Sequence, residues 1–454
     1  MARALVSEDR RVNATTWDLL GSYLRGLSFK SLAEVPPPFE PRPSLVGYYQ
    51  PKYPSLSETF IRREIRALRE AGVSVHVFAL DRGDESLLDA SAKAGVTWFG
   101  PLDPKAGRAF LGEVLRRNPA LVITLASWVV RSGHESWWKR DAAVLLQAGQ
   151  LAAAMHKAHV THVHAPWADR HATVAFVAAR LIGARFTVQA RASEIHRTIS
   201  GRGIADRVRF AEFIVTNSEY NERFLRSLLG KCGPRIHVIR NGVDLGQFPA
   251  QARKTERIGP FRILAVGRLV EPKGFKFLLQ ACRLLIDRGH DIVCEIAGGR
   301  VDPLDTVTWI DLQIHHEELQ LGERVIFTGS QSFEQIMKRY READAFVLPC
   351  VRARDGSHDI TPNSLIEAMA MQLPVISTTS GAIPEIVEDG VSGILVPAAD
   401  AEALAGAMER LILDPALCTR LGAAARQRVE QRFDAPTNAR ERATLLQSVL
   451  VPSS

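Results

Sequence analysis

Apolar residues along this chain occur in two kinds of run, and the two kinds alternate. Residues 261–266 (Phe-Arg-Ile-Leu-Ala-Val) are short and almost unbroken, as a strand buried on both faces would be. Next comes a run that repeats every three or four residues. Phe277, Leu278, Leu279, Cys282, Leu284 and Leu285 predict a helix over 275–288. Ile61, Ile65 and Leu68 likewise form the core stripe of a helix expected over 57–71, while residues 44–49 and 161–165 read as strands. This alternation continues to about residue 245, then resumes from 261 to about 430, which predicts two parallel sheets flanked by helices. A final helix is expected over 435–451. Two stretches fall outside the pattern. Residues 1–43 end in a proline-rich run at 35–43 and read as an appendage on a stiff linker. The polar, basic stretch 251–259 reads as the joint between domains, and no internal repeat is evident.

Chemistry concentrates at two places in the second half. From Gly267 to Gly274 the chain reads Gly-Arg-Leu-Val-Glu-Pro-Lys-Gly, between the strand and helix just described. Strand, glycine turn and helix make a phosphate-binding geometry, and Arg268 and Lys273 place two cations there. The segment is neither a Walker A motif nor G-x-G-x-x-G. The second place is residues 359–370, where Asp359 and Glu367 lie eight positions apart. Thr361-Pro362 between them predicts a helix start, with Thr361 as N-cap and Pro362 in the first helical position. Asp359 would then lie at the mouth of a helix and Glu367 inside it. Acids flanking an anion site suit a sugar nucleotide: N–H groups meet the diphosphate, and carboxylates accept from hydroxyls. Each motif alone also fits an ordinary loop and a solvated helix.

These motifs, in this order, resemble the retaining glycosyltransferases of family 4, which have the GT-B fold. Further segments carry the likeness: residues 325–329 (Val-Ile-Phe-Thr-Gly), 342–349, 374–378, 381–385, 388–393 and the turn Asn241–Asp244. It covers roughly residues 45–430. The segment 53–61 and the Asp-x-x-Pro-Asn form of the acidic motif resemble the bacterial exopolysaccharide and colanic-acid-type members. The resemblance implies two Rossmann-like domains facing each other across a cleft. Residues 44–248 would bind the acceptor, 249–430 the nucleotide sugar, and 431–454 would form a helix packing back toward the first domain. It implies a metal-independent transfer with no cofactor, from a UDP- or GDP-linked sugar to a saccharide or lipid-linked acceptor. The residues implied on the donor side are Gly267, Arg268, Lys273, Gly329, Asp359, Pro362, Asn363, Ile366 and Glu367. Of these, Arg268, Lys273, Asp359 and Glu367 would take the catalytic roles. On the acceptor side they are Ser57, Glu58, Thr59, His164 and Arg191. One position departs from the pattern. Where the family carries a histidine in T-x-H-x-x-D, this chain has Arg191, followed by Glu194, which could hold it. A catalytically silent homologue acting as a binding partner, or another GT-B activity such as a sugar-nucleotide epimerase, is the alternative.

Composition narrows the setting. The chain has 454 residues, 46% hydrophobic, which is ample for large cores. The longest apolar stretch, 120–130, is short of the ~18 residues that span a bilayer. No signal peptide is visible, and five cysteines without a C-x-x-C pair read as buried thiols. A cytoplasmic protein is the expectation. His156, His159, His162, His164 and His171 are densely spaced but complete no metal-ligand set. The net charge of +7 comes from a basic first half. No nucleic-acid motif accompanies it. An anionic membrane surface is the expected partner, met by Arg62, Arg63, Arg66 and Arg69 on one helix and by Trp137-Trp-Lys-Arg140.

Overall fold

The computed structural model describes residues 45–55, 59–132, 138–191, 193–196, 202–231, 233–250, 259–299 and 305–450. The appendage 1–43, Ser57, Glu58, Trp137, Cys232 and linker residues 251–258 lie outside this set, as do the side chains of Thr59 and residues 138–140. The chain divides into two compact units. The first contains the chain through Thr216, Glu222–His237 and the chain from Ala439; the second contains Asn217–Asn221 and Val238–Asn438.

The first unit holds a seven-stranded sheet: β1 (Val46–Tyr53), β2 (Val75–Arg82), β3 (Val96–Trp98), β4 (His162–Ala165), β5 (Arg185–Ala190), β6 (Phe213–Thr216) and β7 (Arg235–Val238), in the order β3-β2-β1-β4-β5-β6-β7. The second holds six strands: β8 (Phe261–Val266), β9 (Ile292–Ala297), β10 (Val325–Gly329), β11 (Ala345–Leu348), β12 (Val375–Thr378) and β13 (Ile394–Val396), in the order β10-β9-β8-β11-β12-β13. β1 pairs parallel with both β2 and β4, and β8 pairs parallel with both β9 and β11. Each sheet therefore reverses its strand order once, at β1/β4 and at β8/β11. Crevices outside the carboxyl ends of strands at such points are where open α/β sheets bind ligands.

Five helices carry or support the residues singled out from the sequence: α1 (Thr59–Glu70), α2 (Phe275–Asp287), α3 (Phe333–Glu342), α4 (Asn363–Ala370) and α5 (Ala435–Leu450). α2 buries Phe275, Leu278, Leu279, Ala281, Cys282 and Leu285 on the second sheet. Each such leucine contributes about 1.5–3 kcal/mol by leaving water. α1 buries Ile61, Ile65 and Leu68 as its spacing predicts.

The polar side of α1 differs from expectation. Arg62 donates to Leu87 O at 3.1 Å, and Arg69 donates to Val75 O and Gly95 O at 3.0 and 3.2 Å. Arg66 is exposed and pairs with Glu70 at 2.8 Å. Two of the four arginines expected to meet a membrane, Arg62 and Arg69, are thus engaged with backbone carbonyls of neighbouring segments. Among the described residues, no helix is long and apolar enough to cross a membrane. Cys282, Cys294 and Cys350 are buried thiols, whereas Cys418 is half-buried.

Candidate active site

The second unit assembles its site at the β8/β11 reversal. β8 ends at Val266, and the loop 267–274 folds back over the strand ends. Gly274 closes it with φ +68°, and a Cβ there would lie 1.9 Å from Pro349 O, just past β11. Only glycine fits both the backbone angle and the approach. The loop's other end is as tight, since a Cβ on Gly298 would lie 1.7 Å from Gly267 O. Gly298 N in turn donates to Gly329 O at 2.9 Å. Gly267, Gly298 and Gly329 thus form a row with no side chains along the ends of β8, β9 and β10. The first and third were expected from the sequence. Gly298 and Gly299 were missed, although a Gly-Gly pair closing a strand is a signal of close backbone approach.

Lys273 folds its stem over Gly267, with Cε 2.8 Å from where a Cβ would be. Its Nζ meets Asp359 Oδ2 at 2.6 Å. Burial alone would lower the Lys273 pKa, but Asp359 outweighs it and holds the ammonium above the ordinary lysine value. Two residues 86 positions apart are therefore joined at one point. Arg268, the second cation, is exposed beside them.

α4 differs from expectation at its start. Pro362 is the N-cap and makes no side-chain cap bond; Asn363 is the first helical residue. The Thr361 hydroxyl does not cap, because it accepts from Asn217 Nδ2 at 2.7 Å and Asn241 Nδ2 at 3.3 Å. The helix is fixed instead by Ser364, whose Oγ donates to Val266 O at 2.8 Å. Asn363 is exposed, and Glu367 is half-buried one turn further on. Ile366 is 1% exposed and belongs to the core, so its side chain is not available to a donor.

Of the first unit's expected acceptor residues, His164 and Arg191 are buried. Ser57 and Glu58 lie outside the described residues. His164 is fully buried on β4, not in a crevice. Its Nδ1 lies 2.8 Å from Thr187 Oγ1, which also lies 2.6 Å from His162 Nε2. One hydroxyl can donate to one imidazole and accept from the other, so both rings stay neutral. Burial drives both pKa values down to about 3.

Arg191 is 5% exposed, and its guanidinium pairs with Glu64 of α1. Glu194 accepts from the Arg191 backbone N–H at 2.7 Å. Glu64 also takes Arg442 of α5 at 2.9 Å, Tyr48 OH at 2.9 Å and Gln189 Nε2 at 2.5 Å. Four donors fill the carboxylate's acceptor capacity. Burial would raise the Glu64 pKa, but Arg442 and Arg191 outweigh it and lower it to about 2. Glu64 of α1 thus joins Arg191, at the end of β5, to Arg442 of α5, and the Arg191 guanidinium is engaged in this buried cluster.

Both units of the chain match known families. Residues 260–414 match the model for glycosyl transferases group 1, and residues 57–247 match that for glycosyltransferase family 4. The chain is 30% identical over 435 residues to the putative colanic acid biosynthesis glycosyltransferase WcaL of Escherichia coli K12, covering 89% of this chain and all of that one. The chain belongs to glycosyltransferase family 4. This glycosyltransferase is also 29% identical to the amylovoran biosynthesis glycosyltransferase AmsK of Erwinia amylovora, over 88% of its length and 98% of the relative's. Its fold is GT-B. The crystal structure of Anabaena HepE in complex with UDP superposes with a TM-score of 0.68 at 18% identity, covering 89% of this chain and all of that one. Sucrose-phosphate synthase from Thermosynechococcus elongatus gives 0.68 at 21% identity, over 90% and 100%.

The buried histidines make this glycosyltransferase acid-sensitive. Their folded pKa values of about 3 lie below the ordinary histidine value of 6.5. Below pH 6.5 the unfolded chain takes up protons that the folded chain refuses. The stability is therefore complete above 6.5 and is lost as the pH falls toward 3. At pH 5 each histidine should cost about 2 kcal/mol relative to pH 7.5. Scanning calorimetry should show the first unit's transition moving down over this range. A transition that does not move would contradict the buried neutral pair.

Proposed function

We propose that this glycosyltransferase moves a sugar from a nucleoside diphosphate, UDP or GDP, to a saccharide or lipid-linked acceptor, with retention of anomeric configuration, in the assembly of an exopolysaccharide. The observation that carries this reading is the contact of Lys273 with Asp359 at the end of β8, beside the start of α4. Lys273 and Arg268 supply the charge that stabilises a departing diphosphate. Asp359 is released to accept sugar hydroxyls when phosphate takes the ammonium. Glu367 accepts from the ribose. In the transfer, the bond from the anomeric carbon to the phosphate oxygen breaks while the acceptor oxygen bonds on the same face. The leaving phosphate takes the acceptor proton, giving the glycoside and the nucleoside diphosphate. With two cations at the pyrophosphate, the reaction needs no metal. The kinship with WcaL and AmsK supports the exopolysaccharide setting.

A calorimetric screen with UDP, GDP, ADP and their sugars tests the donor. Ligand at 100 times its dissociation constant should add about 2.7 kcal/mol of stability. Transfer should persist in EDTA, and NMR of the product should show the donor's anomeric configuration. Loss of activity in chelator, restored by Mg²⁺, or an inverted product would reject the mechanism. One observation favours a second reading, a binding partner without turnover: Arg191, in the family's histidine position, is buried against Glu64. Donor binding without transfer or hydrolysis over the whole panel would decide for it.

A further inference from the structure

We propose that Tyr340 is a positioning residue for donor binding, aiming the Glu367 carboxylate at the ribose hydroxyls. This rests on the reading of Glu367 as a donor-binding acid. Tyr340 lies on α3, far in sequence from either motif, and is wholly buried. Its ring packs toward Phe346 of β11, with centroids 6.0 Å apart. That fixes where its hydroxyl points. The hydroxyl lies 3.2 Å from Ser364 O and 3.2 Å from Glu367 Oε2. Both acceptors belong to α4, one at its first turn and one a turn later.

A tyrosine hydroxyl has a single proton to share between them. Burial, and next the charge of Glu367, push the Tyr340 pKa well above its ordinary value. The hydroxyl therefore stays a donor at any working pH. Ser364 ties the same turn to the end of β8 through Val266 O. α4 is thus held from two sides. The serine sets its distance from the phosphate loop, and the tyrosine sets the direction of its acid. A glutamate has three rotatable side-chain bonds, and each contact that fixes it beforehand reduces the freedom lost at a binding event. The lone pair given to Tyr340 fixes the plane of the carboxylate that meets a ribose.

The test uses the full chain, Tyr340→Phe, Glu367→Gln, and calorimetric binding of UDP and GDP with their 2′,3′-dideoxy analogues. The phenylalanine keeps the ring packing. Wild type should prefer the ribonucleotide over the dideoxy form by about tenfold, the effect of a hydrogen bond to a charged acceptor. Tyr340→Phe should bind the ribonucleotide about fivefold more weakly and the dideoxy form nearly unchanged. A merely structural tyrosine would weaken both alike, and that result overturns the inference, as does a variant that keeps the full preference. If wild type shows no preference, or Glu367→Gln binds both nucleotides as wild type does, the reading of Glu367 itself fails, and the role of Tyr340 falls with it.

Discussion

Glu64→Ala is expected to destabilise the first unit by about 3–5 kcal/mol, the cost of stranding buried charge. Glu64 is 4% exposed and accepts from Arg191, Arg442, Tyr48 and Gln189 at once. Its removal takes away the carboxylate shared by two buried guanidinium groups and the acceptor of two buried polar groups. Against a typical total of about 5–15 kcal/mol, that loss is large. Arg191→Ala should cost less, about 1–3 kcal/mol, because Arg442 still neutralises the glutamate. Urea denaturation followed by far-ultraviolet circular dichroism would measure both. A Glu64→Ala variant within about 1 kcal/mol of wild type would remove the ion cluster as a support of the fold. The same glutamate adds a second acid step. Its folded pKa of about 2 lies below the ordinary glutamate value of 4.5, so its stabilisation is complete above 4.5 and lost as the pH falls through 2.

This cluster also shows where the sequence was legible. Ile61, Glu64, Ile65 and Leu68 share one helix face, and so do Ala439, Arg442, Ala443 and Leu446. Each helix carries one charge in the middle of its apolar stripe, and the charges are opposite. Neither charge was singled out from the sequence, although periodicity puts both on the core side. What it could not supply was that the two faces meet, because a pairing across 378 positions is set by tertiary packing. The strand at 261–266 was readable to the residue, since a short apolar run between turn signals leaves little choice of boundary. The start of α4 was misread by one position because Asn217 and Asn241, distant in sequence, compete for the Thr361 hydroxyl. The engagement of Arg62 and Arg69 on α1 was not legible for a related reason. An arginine stem is long enough to reach carbonyls on neighbouring loops, and counting charges on a helical wheel does not reveal that. Tyr340 gave no local signal at all, since a tyrosine in an amphipathic helix reads as core.

Lys273→Ala is expected to weaken nucleoside-diphosphate binding about 30- to 150-fold, the effect of about 2–3 kcal/mol for a cation on a charged acceptor. The ammonium is held by Asp359 at 2.6 Å, with its side chain only 13% exposed. Its stem rests over Gly267, at the end of β8, so the charge is already aimed where a diphosphate meets the strand ends. Binding exchanges one anionic partner for another, which spares the cost of desolvating the cation anew. The fold should tolerate the change, because the loop is set by the backbone at Gly274 and not by the lysine side chain. Asp359 keeps a quarter of its side-chain surface in water, which solvates it without the lysine. Lys273→Arg should retain part of the affinity. Its charge is kept, but a planar guanidinium does not reproduce a compact ammonium in this tight turn. Calorimetry with UDP and GDP gives the binding constants, and thermal unfolding without ligand shows that each variant is folded. A folded Lys273→Ala protein with wild-type affinity for the nucleotide that the wild type binds would move the phosphate site away from this loop. A parallel loss in Asp359→Asn, confined to the sugar-bearing donor and absent for the bare nucleoside diphosphate, would assign the two partners of the ion pair to the two halves of the donor.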